Sequence, residues 1–216
     1  MLKKNIGCTT LALVMATSLL FSGCGKKTQE KPTPKPLTVN QKVGSEDATI
    51  KSKVNIDSYR KIKFNASIKD IKKAEKKNKD TVKSKTSPSE TTSKDGYTYL
   101  AYTFADSAKN SIFGAVPVAD GSLTYVFKDK SLKEVRVDYG SLDENAYTAI
   151  CEFFKNKFGD PSFSRTYSNN SKNSWWKTNK AKVDVNYSIA EIYDAKGNST
   201  QQSKIIVYYS SVEEKK

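Results

Sequence analysis

Between Leu132 and Tyr139 the chain alternates: Val135, Val137 and Tyr139 fall on one side, Glu134, Arg136 and Asp138 on the other. A period of two is the signature of a β-strand, whose successive side chains point to opposite faces. Such a strand belongs to a sheet with one dry and one wet face, and that sheet needs neighbours and a covering layer. The neighbours are legible close by. Residues 97–104, 112–118 and 122–128 read as strands, the last with Leu123, Tyr125 and Phe127 on one side, and Asp120-Gly121 and Asp129-Lys130-Ser131 supply turns.

The covering layer is legible as two helices. Ser67 and Asp70 form a capping pattern that opens the first, and Ile68, Ile71 and Ala74 give it a narrow apolar stripe in a charged segment that runs to Lys79. Ser141-Leu142-Asp143-Glu144 reads as a second capping box, with Ser141 leading. Its helix is more apolar, with Ala146, Tyr147, Ile150, Cys151, Phe154 and Phe158 recurring at three and four, and Gly159 and Pro161 stop it. Four more strands follow, at 163–167, 174–178, 181–189 and 203–209. A helix and four strands therefore occur twice, at a period of about 75 residues. The expected fold is α+β: two tandem α-β-β-β-β repeats, about 60–140 and 141–210, forming one antiparallel sheet with helices on one face, within a domain spanning 49–212. Residues 50–64 read as an irregular entry, in which Val54 and Ile56 alternate, as do Ile62 and Phe64. Residues 80–94, rich in Ser, Thr and Lys around Pro88, read as a mobile loop.

The first 48 residues are expected to lie outside that domain. Lys3 and Lys4, an apolar run from Ile6 to Phe21 and the small pair Ser22-Gly23 have the three parts of an export signal. The run is interrupted by Thr and Ser and falls short of the ~20 apolar residues needed to span a bilayer. The end of it, Leu20-Phe21-Ser22-Gly23-Cys24, resembles the lipobox of bacterial lipoprotein precursors, with Phe21 where Leu is commonest. That resemblance implies that residues 1–23 are removed and that Cys24 carries lipid as the first residue of the mature chain. Several acyl chains would then hold the protein stably on the outer face of the cell membrane. Residues 24–48, with Pro32, Pro34 and Pro36 set among lysines, read as an extended tether.

Charge and missing residue types narrow the function. The chain has 37 basic and 23 acidic residues, a formal +14, and without residues 1–23 it keeps +12. Only Arg60, Arg136 and Arg165 are arginine, so the bidentate forks that read phosphates and bases are scarce. Anionic surfaces such as phospholipid or cell-wall polymer fit that charge; nucleic acid fits poorly. Past the signal only Cys24 and Cys151 remain, so with Cys24 acylated no disulfide forms, and Cys151 reads as a small core residue. The absence of histidine excludes Ser-His-Asp, Cys-His and His-ligated metal sites. Asp138, Asp143, Glu144 and Asp184 are the carboxylates to weigh for acid–base work, but helix first turns and wet strand positions explain them. No phosphate loop or EF-hand spacing is present. The expectation is a protein that is not an enzyme and uses no cofactor or metal.

The phrase Phe64-Asn65-Ala66-Ser67-Ile68-Lys69-Asp70-Ile71, followed by Phe158-Gly159-Asp160-Pro161 and Trp176-Lys177-Thr178, resembles small Gram-positive lipoproteins with tandem helix-plus-sheet units. Those units are similar to the β-lactamase inhibitor protein and to BamE (SmpA)-type lipoproteins. In that pattern a Gly-Met-Thr-like start precedes the helix and Gly-x-Pro follows it; here the first helix lacks the Gly-x-Pro and the second lacks the Gly-Met-Thr. The resemblance implies a binding or scaffolding module and carries no particular activity with it.

Aromatic residues are the functional lead: 12 Tyr, 9 Phe and 2 Trp, more Tyr than a core of this size takes, since its hydroxyl favours water. Trp175 and Trp176 are strand neighbours and face opposite ways. The Trp-Lys-Thr setting shared with those lipoproteins implies that Trp176 is the core member, which leaves Trp175 on the open face. Together with Tyr97, Tyr99 or Tyr102, Trp175 would make a platform for an extended peptide, glycan or partner loop. The competing reading covers that Trp with lysine stems. The expected partner is an envelope protein or peptide; the alternative is a basic surface protein that binds cell-wall or other polyanions. A basic stripe on one face favours a polyanion, and an aromatic concavity ringed by mixed charge favours the protein or peptide partner.

Overall fold

The computed structural model describes residues 39–50, 56, 58–77, 88–104 and 121–212, all within one compact unit, Pro36–Lys216. The signal segment, Cys24, the tether as far as residue 38, Val54, the strand expected at 112–118 and residues 80–87 of the expected loop lie outside the described residues.

The domain is α+β. In chain order its elements are β1 (Val39–Gly44), β2 (Ser58–Tyr59), β3 (Ile62–Lys63), α1 (Ile68–Glu75), β4 (Ser89–Thr92), β5 (Tyr97–Thr103), β6 (Ser122–Lys128), β7 (Ser131–Asp138), α2 (Glu144–Phe158), β8 (Phe163–Tyr167), β9 (Lys172–Lys177), β10 (Ala181–Tyr193) and β11 (Ser199–Ser211). Nine strands form one sheet in the order β1-β8-β9-β10-β11-β7-β6-β5-β4, and β2 and β3 form a separate hairpin. Each adjacent pair in the large sheet is antiparallel. The central seam joins β7 and β11, with Val137 opposite Val207 and Val135 opposite Tyr209.

Alternation sends one set of side chains under the helices. Leu100, Leu123, Tyr125, Phe127, Leu132, Val135, Val137, Val183, Val185, Ile205 and Val207 are at most 1% exposed and form a single core with the helices' inner residues. In α1 the Ser67 hydroxyl accepts from the Asp70 N–H while the Asp70 carboxylate accepts from the Ser67 N–H, the full reciprocal box that the sequence predicts. Ile71 of α1 is fully buried, and Glu75 accepts a 2.6 Å hydrogen bond from the Tyr125 hydroxyl of β6. Helix α2 buries Tyr147, Ile150, Phe154 and Phe158. It meets β9 and β11, where the Phe154 ring lies 5.4 Å from Trp176 and 6.1 Å from Tyr209. The β2–β3 hairpin covers the seam, with Tyr59 against Tyr209 at 5.0 Å and Tyr125 at 6.3 Å.

Four expectations are corrected. The tether was drawn to residue 48, but Val39–Gly44 is strand β1 and pairs with β8; sequence patterning misses it because this short edge strand is polar. Residues 89–92 of the expected loop are β4, paired with β5 through Ser, Glu and Thr that stay exposed. The N-cap of α2 is Asp143, which accepts from the Ala146 N–H at 3.0 Å. Ser141, expected in that place, instead accepts from the Gln202 amide at 3.0 Å. Strands β10 and β11 run on to Tyr193 and from Ser199, well past the expected 181–189 and 203–209. That extension is exposed, Ile192 and Tyr193 included, so pairing register, not burial, makes it a strand.

Candidate binding face

The opposite face of the sheet carries the other half of each alternating strand. Cross-strand register sets Trp175 beside Asp184, Asp184 beside Tyr208, Tyr208 beside Arg136 and Arg136 beside Thr124, a row from β9 to β6. A parallel row sets Ser210, Glu134, Val126 and Tyr99 side by side. Both described helices lie on the other side of these rows, against Trp176 and Tyr125.

Aromatic rings and cations interleave along this face. At the β8–β9 end the Phe163 and Trp175 rings stack at 4.1 Å. Arg165 and Lys42 lie 5.0 and 5.2 Å from the Phe163 ring centre, and Lys182 lies 4.9 Å from Trp175. Near the other end, Lys128 stands 4.4 Å from the Tyr97 ring, and the Arg136 guanidinium lies between Tyr99 at 5.8 Å and Tyr208 at 6.0 Å. Here the face dips into an open concavity of about 340 Å³ lined by Tyr97, Tyr99, Val126, Lys128, Glu134 and Arg136, among others. Such contacts contribute ~0.5–1 kcal/mol each at exposed sites, and they fix ring orientation.

The charges here are mixed and mostly paired. Arg136 bonds Glu134, Arg165 bonds Glu46, Lys182 lies 2.8 Å from Asp184 and Lys204 lies 2.7 Å from Asp138. Asp138 and Asp184 therefore neutralise neighbouring lysines across the wet face. Asp143 caps α2, and Glu144 in its first turn pairs with Lys172.

The structure separates the expected platform residues. Trp176 is fully buried, and its indole N–H donates to the Gly159 carbonyl at 2.8 Å, tying β9 to the end of α2. Trp175 is on the opposite face as alternation requires, but Phe163 and Lys182 cover it and leave it only partly exposed. Its indole nitrogen is buried without a hydrogen-bond partner among the described residues. Tyr97 and Tyr99 line the concavity. Tyr102 does not join them. It differs from them by an odd number of residues, so it turns to the helix side and meets Tyr125 edge-on at 6.1 Å. There burial, with help from the charges of Glu75 and Glu90, raises its hydroxyl to about 12. Trp175 and Tyr99 also stand five strands apart in the sheet, about 24 Å at ~4.8 Å per strand, so one ligand-sized platform cannot use both.

Phe163, Arg136 and Tyr208 are the members of this face that sequence reading passes over. One signal for them was present. All three arginines of this lysine-rich chain sit on aromatic rings: Arg60 on Tyr59, Arg136 on Tyr99 and Tyr208, Arg165 on Phe163 and Tyr167. A planar guanidinium stacks where an ammonium does so less well, so the scarce type marks the stacked positions.

Burial pushes the Cys151 thiol up to about 11, so at neutral pH it is protonated. Among the described residues no group of three His, Cys, Asp or Glu side chains converges to hold a metal ion, and no helix is long and apolar enough to cross a membrane. No protein-family model, curated protein or solved structure matches this chain.

Proposed function

We propose that this protein is an extracytoplasmic lipoprotein, held on the outer face of the cell membrane through Cys24, and that it is a non-catalytic binding or scaffolding module for an envelope protein or peptide. The observation that carries this reading is the concavity on the sheet face away from the helices, where Tyr97, Tyr99 and Arg136 offer flat surfaces ringed by charges of both signs. Tyr and Arg are the residue types enriched at sites that dominate binding energy, and paired charge favours a partner of mixed charge over a polyanion.

The reading includes two tandem repeats, as in the lipoproteins this chain resembles. Two facts support it. Among the described residues α1 is followed by β4, β5, β6 and β7, and α2 by β8, β9, β10 and β11, and the sheet runs β8-β9-β10-β11 and then β7-β6-β5-β4, so the two last strands meet at the seam. Both halves bury their helix against the same face, which makes the opposite face one continuous surface.

Membrane extracts passed over immobilised wild-type protein are expected to yield a retained protein or peptide that the Tyr97→Ala/Tyr99→Ala double variant fails to retain while keeping its circular dichroism. Equal retention by both would overturn the reading of this face. The anchor is tested apart from it: Cys24→Ser is expected to move the protein out of the detergent phase.

A further inference from the structure

Helix α1 and the two residues that follow it carry five lysines. Lys69, Lys73 and Lys76 lie on one outward stripe, Lys72 and Lys77 flank it, and all five are exposed. The spacing of four and three residues puts the central three on one side of the helix. Acids offset them only in part: Asp70, exposed beside Lys69 and Lys73, keeps its charge while it caps the helix, and Glu75 is turned inward, 4% exposed. Among the described residues Lys72 alone of the five has an ion pair, with Glu90 at 2.6 Å. Helix α2, in the same layer, balances Glu144 and Glu152 against Lys155 and Lys157 on its outside and pairs Lys155 with Asp160. The helix dipole accounts for lysines in the last turn of α1 but opposes Lys69 in its first turn. The stripe is thus a property of this helix and not of helix chemistry.

We infer that the lysine stripe of α1 is an electrostatic docking surface for an anionic phospholipid bilayer, which lays the helix layer against the membrane and turns the aromatic sheet face away from it. The inference rests on the proposal that Cys24 is lipidated. An anchored domain is confined to the bilayer's neighbourhood, since the chain from Cys24 to Val39 extends at most about 50 Å. Weak attraction is sufficient at such an effective concentration. The stripe has no exposed apolar or aromatic side chain, so it suits a charged surface and not insertion or base stacking. Lysines, compact and strongly hydrated, suit a headgroup layer that offers no fixed geometry to read.

The test uses the chain beginning at residue 24 with Cys24→Ser, which has no lipid and keeps every described element. Its outcome therefore does not depend on whether Cys24 is acylated. Co-sedimentation with mixed phosphatidylglycerol and phosphatidylcholine vesicles is expected at low salt, weakening as salt rises, and absent with phosphatidylcholine alone. The Lys69→Gln/Lys73→Gln/Lys76→Gln variant keeps helix propensity and touches no core residue. It is expected to lose about a hundredfold in partitioning, at about fivefold per lysine, whereas Lys180→Gln/Lys196→Gln is expected to lose little. Equal binding to neutral vesicles, or unchanged binding by the triple variant, overturns the inference. Tighter, stripe-dependent binding to a purified anionic wall polymer than to vesicles also overturns it, and reassigns α1 to that polymer.

Discussion

Trp175 and Trp176 show how one position in a strand decides what a side chain is for. Trp176 fills the space under α2 and its N–H satisfies the Gly159 carbonyl. Removing it leaves a cavity and an unpaired acceptor, so Trp176→Ala is expected to cost about 3–5 kcal/mol. Trp175 makes a stacked pair with Phe163 but buries an N–H that has no partner among the described residues. A buried unsatisfied donor costs about 1–3 kcal/mol, which offsets the stacking. Trp175→Phe keeps a ring on Phe163 and deletes the donor, so it is expected to fall within about 1 kcal/mol of wild type or to stabilise. Urea unfolding of the two variants measures both effects, and acrylamide should quench Trp175 more than Trp176 in the corresponding single-Trp proteins. A costly Trp175→Phe would mean that the indole nitrogen has a partner in solution.

Strand β1 is held at the sheet edge by a backbone that only glycine fits. Gly44 has φ +82°, and a Cβ added there would stand 2.3 Å from the Ser162 carbonyl oxygen of the chain leading into β8. Gly44→Ala is therefore expected to open the β1–β8 pairing and leave the rest of the sheet folded. Amide exchange would show it as lost protection at residues 41–44 and 163–166 with protection kept in β10 and β11; an undisturbed β1 would contradict the contact. Elements whose burial writes a period into the sequence were legible: β6, β7, α2 and the inner half of β10 follow from Leu123, Val135, Phe154 and Val183. Elements made by register alone were not, and β1, β4 and the outer β10–β11 arm are of that kind, without an alternation of apolar and polar residues. The binding face was half legible for the same reason. Alternation puts Tyr97 and Tyr99 on one face, but strand order sets whether either neighbours Trp175, and local pattern does not encode strand order. Tyr102 has the opposite parity, which turns it to the helix side.

Across the whole molecule the titrating groups are divided as unevenly as the charge. The chain has no histidine, so stability is expected to be nearly flat between about pH 6 and 8, where histidine is the side chain that ordinarily titrates. The alkaline side is different. Burial, the largest cause in each case, raises the hydroxyls of Tyr59, Tyr125, Tyr139, Tyr147 and Tyr209 above their ordinary 10. It also lifts the Cys151 thiol from 9 to about 11. Each of these groups holds its proton more tightly in the folded protein than in the unfolded chain. The unfolded chain releases those protons first, so the stability they contribute is complete below their ordinary values and is lost as pH rises through the folded ones. The decline is expected to begin near pH 9 with Cys151 and to steepen above 10 as the tyrosines join, each fully linked group adding about 1.4 kcal/mol per pH unit. Urea midpoints measured from pH 6 to 11 test it, and Cys151→Ala should move the onset toward pH 10. A midpoint that stayed level to pH 11 would mean that the tyrosine layer under the helices is open to water, and with it the packing of Tyr59 over the β7–β11 seam.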